Sequence, residues 1–202
     1  SAVGQLAIKP LGVEGAVPYL FVIILLVLAI LVQLLIKAGQ PEHQQSQKLH
    51  WRELTTLSRP ALIGCLVSGL VLGPIYGLLP VYIMQFEYAP KTGVLMATVI
   101  LGGMLVQPLV SYLSPRFSKV LLMALFCLLG VLSLAGVIYA IQLEWLVISY
   151  LVLGAAAFAL YPIAITLACE RLEVNKIVSA TEFMLLSYSL GSVIGPLLAA
   201  YL

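Results

Sequence analysis

Six apolar runs separated by short polar breaks organise the chain: roughly Ala16–Ile36, Pro60–Met84, Gly93–Leu113, Val120–Ile141, Trp145–Ala168 and Ala180–Leu202. Each approaches the ~20 residues an α-helix needs to cross ~30 Å of hydrocarbon. The pattern therefore predicts an all-α membrane protein with six full transmembrane helices. Ala16–Ile36 is the most uniformly aliphatic, with Gln33 as its single interior polar residue, Tyr19 near one interface and Lys37 at the other. That uniformity predicts a peripheral, lipid-facing helix. Ahead of it, Ser1–Ile8 is apolar and is broken by Lys9-Pro10 and Gly12–Gly15. It reads as the outer end of a preceding helix, so the chain is expected to be a fragment of a larger protein.

Charge orients the spans. Of the ten Lys and Arg residues, Lys37, Lys48, Arg52, Arg59, Arg116, Lys119, Arg171 and Lys176 fall on one side if the spans alternate, leaving Lys9 and Lys91 on the other. The positive-inside rule makes the first side cytoplasmic. Composition agrees: 62% of residues are hydrophobic and 9% charged, against about 25% charged in soluble domains. Such a chain has too much apolar surface to clothe in water. A net charge of +2 gives no reason to expect nucleic acid. Cys65, Cys127 and Cys169 are isolated, form no CxxC pair, and read as small buried hydrophobes.

Residues 38–59 form the only sizeable loop, Gln-rich and charged, and Leu49–Leu57 is a short amphipathic piece suited to the interface. His43 and His50 lie there near Glu42 and Glu53, but a solvated linker explains them better than a metal site. The loops 85–92 and 142–144 are too small for a soluble domain. Inside the spans, Pro74, Pro80, Pro108, Pro162 and Pro196 each remove a backbone donor and predict kinks. Gly69, Gly73 and Gly77 make one stripe at i, i+4 spacing, and Ser187, Gly191, Gly195 and Ala199 make another. Stripes of this kind let helix backbones approach closely. Plain packing explains them, and a bending gate helix, with Pro74 and Pro80 lying within or beside the first stripe, is the alternative; Pro162, Gly195 and Pro196 are the other hinge candidates. Ser1–Ala7 also lines up with Ser192–Leu198 at an offset of 191, the spacing of two repeated six-helix halves.

Three segments carry a wider resemblance: Gly64–Tyr82 (GCLVSGLVLGPIYGLLPVY), Gly154–Glu170 (GAAAFALYPIAITLACE) and Leu185–Pro196 (LLSYSLGSVIGP). With them the chain resembles the major facilitator superfamily, specifically its YcaD-like group of bacterial inner-membrane permeases. The loop Ser111–Lys119 is similar to the family's cytoplasmic G-x-L-x-D-R-x-G-R/K motif, keeping Leu113, Arg116, Phe117 and Lys119. Ser111 and Ser118 replace its glycines and Pro115 its aspartate, so the family's latch is incomplete here. The resemblance implies that Ser1–Ile8 ends the fifth helix and that the six spans are the sixth to eleventh. Residues 1–37 would then close the N-terminal half, 38–59 would be the cytoplasmic inter-half loop, and 60–202 would form five helices of the C-terminal bundle.

The resemblance also implies that Pro60–Met84 and Trp145–Ala168 line a central cavity. Tyr76, Tyr161 and Thr166 are then its candidates for contacting substrate, with Tyr82 a weaker one. Gln107 beside Pro108, and Tyr188 between two serines, join them because amides and phenols at bilayer depth need a partner or a pore. No Asp, Glu, Lys, Arg or His lies near the middle of any span. At the basic end Arg116, Lys119, Glu170 and Arg171 are gate candidates. Glu170 at a helix C-terminus opposes the macrodipole and calls for a cation, and Arg116 is the partner the resemblance suggests. Ser179–Glu182 reads as a capping box starting the last helix. No nucleotide-binding, zinc-protease or serine-hydrolase motif occurs.

The expected function is secondary active transport of a small solute by alternating access. The alternatives are a multispan receptor, the permease subunit of an ATP-driven transporter, and, less so, an intramembrane enzyme. The expected partners are membrane lipid, the solute, a coupling proton and the remaining half of the same polypeptide. No cofactor or metal is expected.

Overall fold

A computed structural model of the chain describes residues 16–35, 59–140, 142–170, 172 and 174–201, apart from the side chains of 18, 174 and 175. The elements are α1 (Val17–Leu35), α2 (Arg59–Gly77), a short α3 (Leu79–Ile83), a 3-10 turn (Ala89–Lys91), α4 (Thr92–Leu113), α5 (Lys119–Tyr139), α6 (Leu143–Cys169) and α7 (Val174–Tyr201). Among the described residues there is no strand. In hydrocarbon this is the economical solution, because a helix satisfies its own backbone polar groups. Five stretches, centred on α2, α4, α5, α6 and α7, are long and apolar enough to cross a bilayer, and α1 adds an apolar helix of 19 residues. The readings placed on Ser1–Ile8, Lys9, Lys37, His43, Lys48, His50, Arg52, Leu49–Leu57 and Arg171 lie outside the described residues.

Two boundaries depart from the hydropathy pattern. The expected span Pro60–Met84 is divided into α2 and α3 by a turn at Leu78. Pro80 cannot donate to the Tyr76 carbonyl four residues back, and the ladder resumes through Leu78 N–H to Pro74 O and Tyr82 N–H to Leu78 O, at 2.8 and 2.9 Å. The last helix begins at Val174, not Ala180. The capping box expected at Ser179–Glu182 is therefore absent: Ser179 is buried inside α7, and the Thr181 hydroxyl donates to Ile177 O within the same helix, 2.8 Å away.

α6 is the mast of the bundle. Two apolar clusters stack along it, one around Cys65, Val106, Phe126, Ile163 and Met184, the other around Ile75, Leu95, Val99, Tyr150 and Leu153. Lipid tails are as apolar as leucine, so these helices gain little from burial as such and associate through close packing. That accounts for the alanines of α6: Ala156, Ala157, Ala159, Ala164 and Ala168 are all buried at the contacts. By contrast α5 turns Leu121, Leu125, Leu128 and Leu132 outward, and every described α1 side chain except Phe21 is exposed. Such surfaces suit lipid.

Candidate functional site

Prolines in helix interiors explain how the site is assembled, because each deprives the carbonyl four residues earlier of its donor. Pro162 in α6 frees the Phe158 carbonyl. Gln107 in α4 answers it, its Nε2 lying 3.5 Å from Phe158 O. The amide expected to need a partner at depth thus has one, in the neighbouring helix. Phe158 itself carried no signal in the sequence beyond its place four residues before a proline. Its ring packs edge-on against Tyr76 of α2, centroids 6.0 Å apart at 83°. Gly103 leaves room for that ring, since a methyl there would lie 2.6 Å from Phe158 Cδ2.

Tyr161, almost one turn further along α6, meets Tyr188 of α7 with ring centroids 5.0 Å apart at 57°. Tyr76, Gln107, Tyr161 and Tyr188 therefore come from four helices, and each keeps part of its surface uncovered. Thr166 is exposed, but its hydroxyl donates to Pro162 O in its own helix at 2.7 Å. Tyr82 is found elsewhere, in α3 beside Phe86.

The small-residue stripes meet each other. α2 and α7 cross with Gly69 and Gly73 facing Gly191 and Gly195 through each other's backbone. Pro74 frees the Leu70 carbonyl, and Gly195 sits against it: a methyl on Gly195 would lie 2.5 Å from Leu70 O and 2.9 Å from Pro74 Cδ. The reciprocal arrangement holds for Pro196, whose freed Ser192 carbonyl faces Gly73 at 2.6 Å from the equivalent methyl. Each Gly-Pro pair thus presents an undonated carbonyl to the other helix's glycine, a geometry suited to Cα–H···O contact. Ser187 Oγ adds a conventional bond to Leu62 O at 3.0 Å. Gly77 is different, with only ordinary contact to Pro196 at 4.0 Å.

At the basic end the expected partnership changes. Glu170, the C-cap of α6, takes Lys119 rather than Arg116: Nζ to Oε1 is 2.6 Å. Lys119 is the first residue of α5. A cation at a helix N-terminus and an anion at a helix C-terminus are each misplaced for their own dipole, and here each misplaced charge supplies the other's counterion. Arg116 points elsewhere because the turn through Pro115, closed by Arg116 N–H to Leu113 O at 2.9 Å, carries it back over Tyr112. Its guanidinium carbon lies 3.5 Å from that ring's centroid, a cation–π contact.

Comparison with known proteins agrees with this architecture. The profile of the Major Facilitator Superfamily matches residues 2–196. Proteins described as "Uncharacterized MFS-type transporter YcaD" from Salmonella paratyphi B, Salmonella newport and Salmonella heidelberg are each 33% identical over 166 residues, covering 79% of this chain and 43% of the relative. The chain spans less than half the length of these relatives. No solved structure matches significantly. The similarities point to a multi-pass bacterial inner-membrane protein concerned with transport.

Proposed function

The chain belongs to the major facilitator superfamily, and from that premise we propose that residues 60–202 form five helices of the C-terminal bundle of a secondary active transporter that moves a small solute by alternating access. One observation carries the reading. Tyr76, at the junction of α2 and α3, and Gln107, Tyr161 and Tyr188, inside α4, α6 and α7, bring polar groups from four helices onto surface left partly uncovered by this bundle. Polar groups facing lipid within a bilayer are costly and ordinarily face a protein interior or a water-filled cavity. The occupant of that side is then the solute path, with the other half of the polypeptide beyond it. The uncharged, tyrosine-rich surface favours a neutral or amphipathic solute, and any proton coupling would rely on groups outside these helices.

Alternating access needs parts that bend. In this reading the reciprocal Gly-Pro crossing of α2 and α7, together with Pro162, supplies the hinges. The Lys119–Glu170 pair joins neighbouring helices of one bundle, so it braces the cytoplasmic loop that presents Arg116 and does not itself tie the two halves together.

Cysteine accessibility tests the proposal in the intact protein with its native cysteines replaced. A charged methanethiosulfonate reagent is expected to label cysteine at positions 76 and 188 at least tenfold faster than at position 128 on the leucine face of α5. Equal rates at all three positions would count against a solute path on this face. Flux that follows an imposed gradient and persists without ATP distinguishes the carrier from a subunit of an ATP-driven permease.

A further inference from the structure

Opposite the basic loops, at the end where α3, the 3-10 turn, α5 and α6 converge, lies a cavity of about 210 Å³. Leu95, Ile83 and Tyr150 form its floor and are 0%, 2% and 2% exposed. Tyr82 and Phe86 stand at its rim, about half-exposed, with Tyr88 beside them. Four aromatic rings therefore converge on one small space, two of them tilted together with centroids 4.8 Å apart. Tyr150 is 2% exposed and lines the cavity, and a phenol hydroxyl there can accept a hydrogen bond as well as donate one.

The acids nearest in sequence, Glu87 between the cavity residues Phe86 and Tyr88 and Glu144 two residues before the wall residue Leu146, are exposed beside the cavity and do not line it; Lys91 is the cation nearest in sequence. Aromatic faces attract cations, and enclosed aromatic clusters are a recurring solution for ammonium groups. The volume is below the ~300–1,000 Å³ typical of drug-sized ligand pockets, which suits a head group and little more. We propose that this cavity binds the ammonium group of a small organic cation, held against the faces of Tyr82, Phe86, Tyr88 and Tyr150, with an N–H donating to the Tyr150 hydroxyl oxygen. The site lies apart from the Tyr76–Tyr188 face and does not depend on what is transported there.

The test is binding by the intact protein in nanodiscs of phosphatidylglycerol, titrated with n-butylammonium and, as the neutral counterpart, n-butanol, with the heat from empty discs subtracted. Saturable binding of n-butylammonium at least tenfold tighter than n-butanol is expected. Tyr150→Phe and Tyr82→Leu should each weaken it about tenfold; Tyr82 is at the rim, so its replacement leaves the fold undisturbed even if Tyr150→Phe does not. Repetition in phosphatidylethanolamine discs separates the two sources of an ammonium group. Weaker n-butylammonium binding there supports a lipid head group as the resident ligand, and unchanged binding supports a free solute. Absence of n-butylammonium binding, equal affinity for n-butanol, or indifference to both substitutions would overturn the proposal, the second result marking the cavity as an apolar slot.

Discussion

Two glycine seams hold this bundle together, and they are built differently. Where α4 meets α6, Gly102 faces the Leu151 carbonyl and Gly154 faces the Val99 carbonyl, with no proline in the contact. Pro108 and Pro162 lie further along, and the carbonyl freed by Pro162 receives a true N–H donor from Gln107. Where α2 meets α7, the prolines are inside the contact itself, and the carbonyls they free face glycine Cα atoms. The first seam keeps each helix's internal ladder whole at the crossing. The second removes a rung from both helices at the same depth and replaces it with weak Cα–H contacts, worth about 0.5–1 kcal/mol each at most. Close approach is common to both seams; what separates them is the position of proline relative to glycine.

The largest effect expected from breaking this comparison is at Gly154. A valine there would drive its side chain into the Val99 backbone, which cannot yield, and folded, monodisperse protein recovered from membranes should fall more than tenfold.

Gly195→Ala should be milder, about 1–3 kcal/mol as for other overpacked contacts, because the obstacle is a carbonyl already released from its ladder. Pro74→Ala would restore a donor to that carbonyl and draw it back into α2. The double variant should therefore be more stable than the sum of the two single changes. Simple additivity in thermal melts would remove the link between the freed carbonyl and the glycine.

Gln107→Leu sharpens the other seam. Hydrogen bonds between membrane helices average about 0.6 kcal/mol, and this one is long, so the loss should be of that size. In a Pro162→Ala background Phe158 O regains its helical donor, and the same substitution should cost nothing measurable. An equal cost in both backgrounds would show that Gln107 serves some purpose other than answering the proline.

The smallest expected effect concerns the ion pair at the basic end. Exposed pairs contribute about 0–1 kcal/mol, and Glu170 is about half-exposed. Exchanging the two, as Lys119→Glu with Glu170→Lys, keeps the pair and places each charge favourably for its own helix dipole. The exchanged protein should be as stable as the parent or slightly more so, whereas each single reversal should lower the melting temperature.

Hydropathy made the spans legible because hydrocarbon thickness imposes a length on them. It failed at α7 for the same reason. The residues from Val174 to Ser179 continue the helix beyond the apolar run, and a helix that outlasts the bilayer leaves no apolar mark. The 28 residues of α7 make about 42 Å at 1.5 Å per residue, longer than the ~30 Å core. Prolines announced which carbonyls would be released, since the interval of four is fixed by the helix. Which residue would answer each one was hidden, because helix crossing decides it. Gln107 was legible as an amide in need, and Phe158 as its acceptor was not. Likewise the basic loop was visible, but the choice of Lys119 over Arg116 depends on how the turn at Pro115 aims two side chains three residues apart.

The lack of ionised side chains midway along the spans has an electrical consequence. A membrane potential exerts about 2.3 kcal/mol on each elementary charge for every 100 mV through which that charge moves. These helices carry no formal charge at that depth, so a membrane potential acts on no ionised side chain midway along them. In the proposed carrier, any current would then be carried by the cargo or by residues elsewhere in the polypeptide.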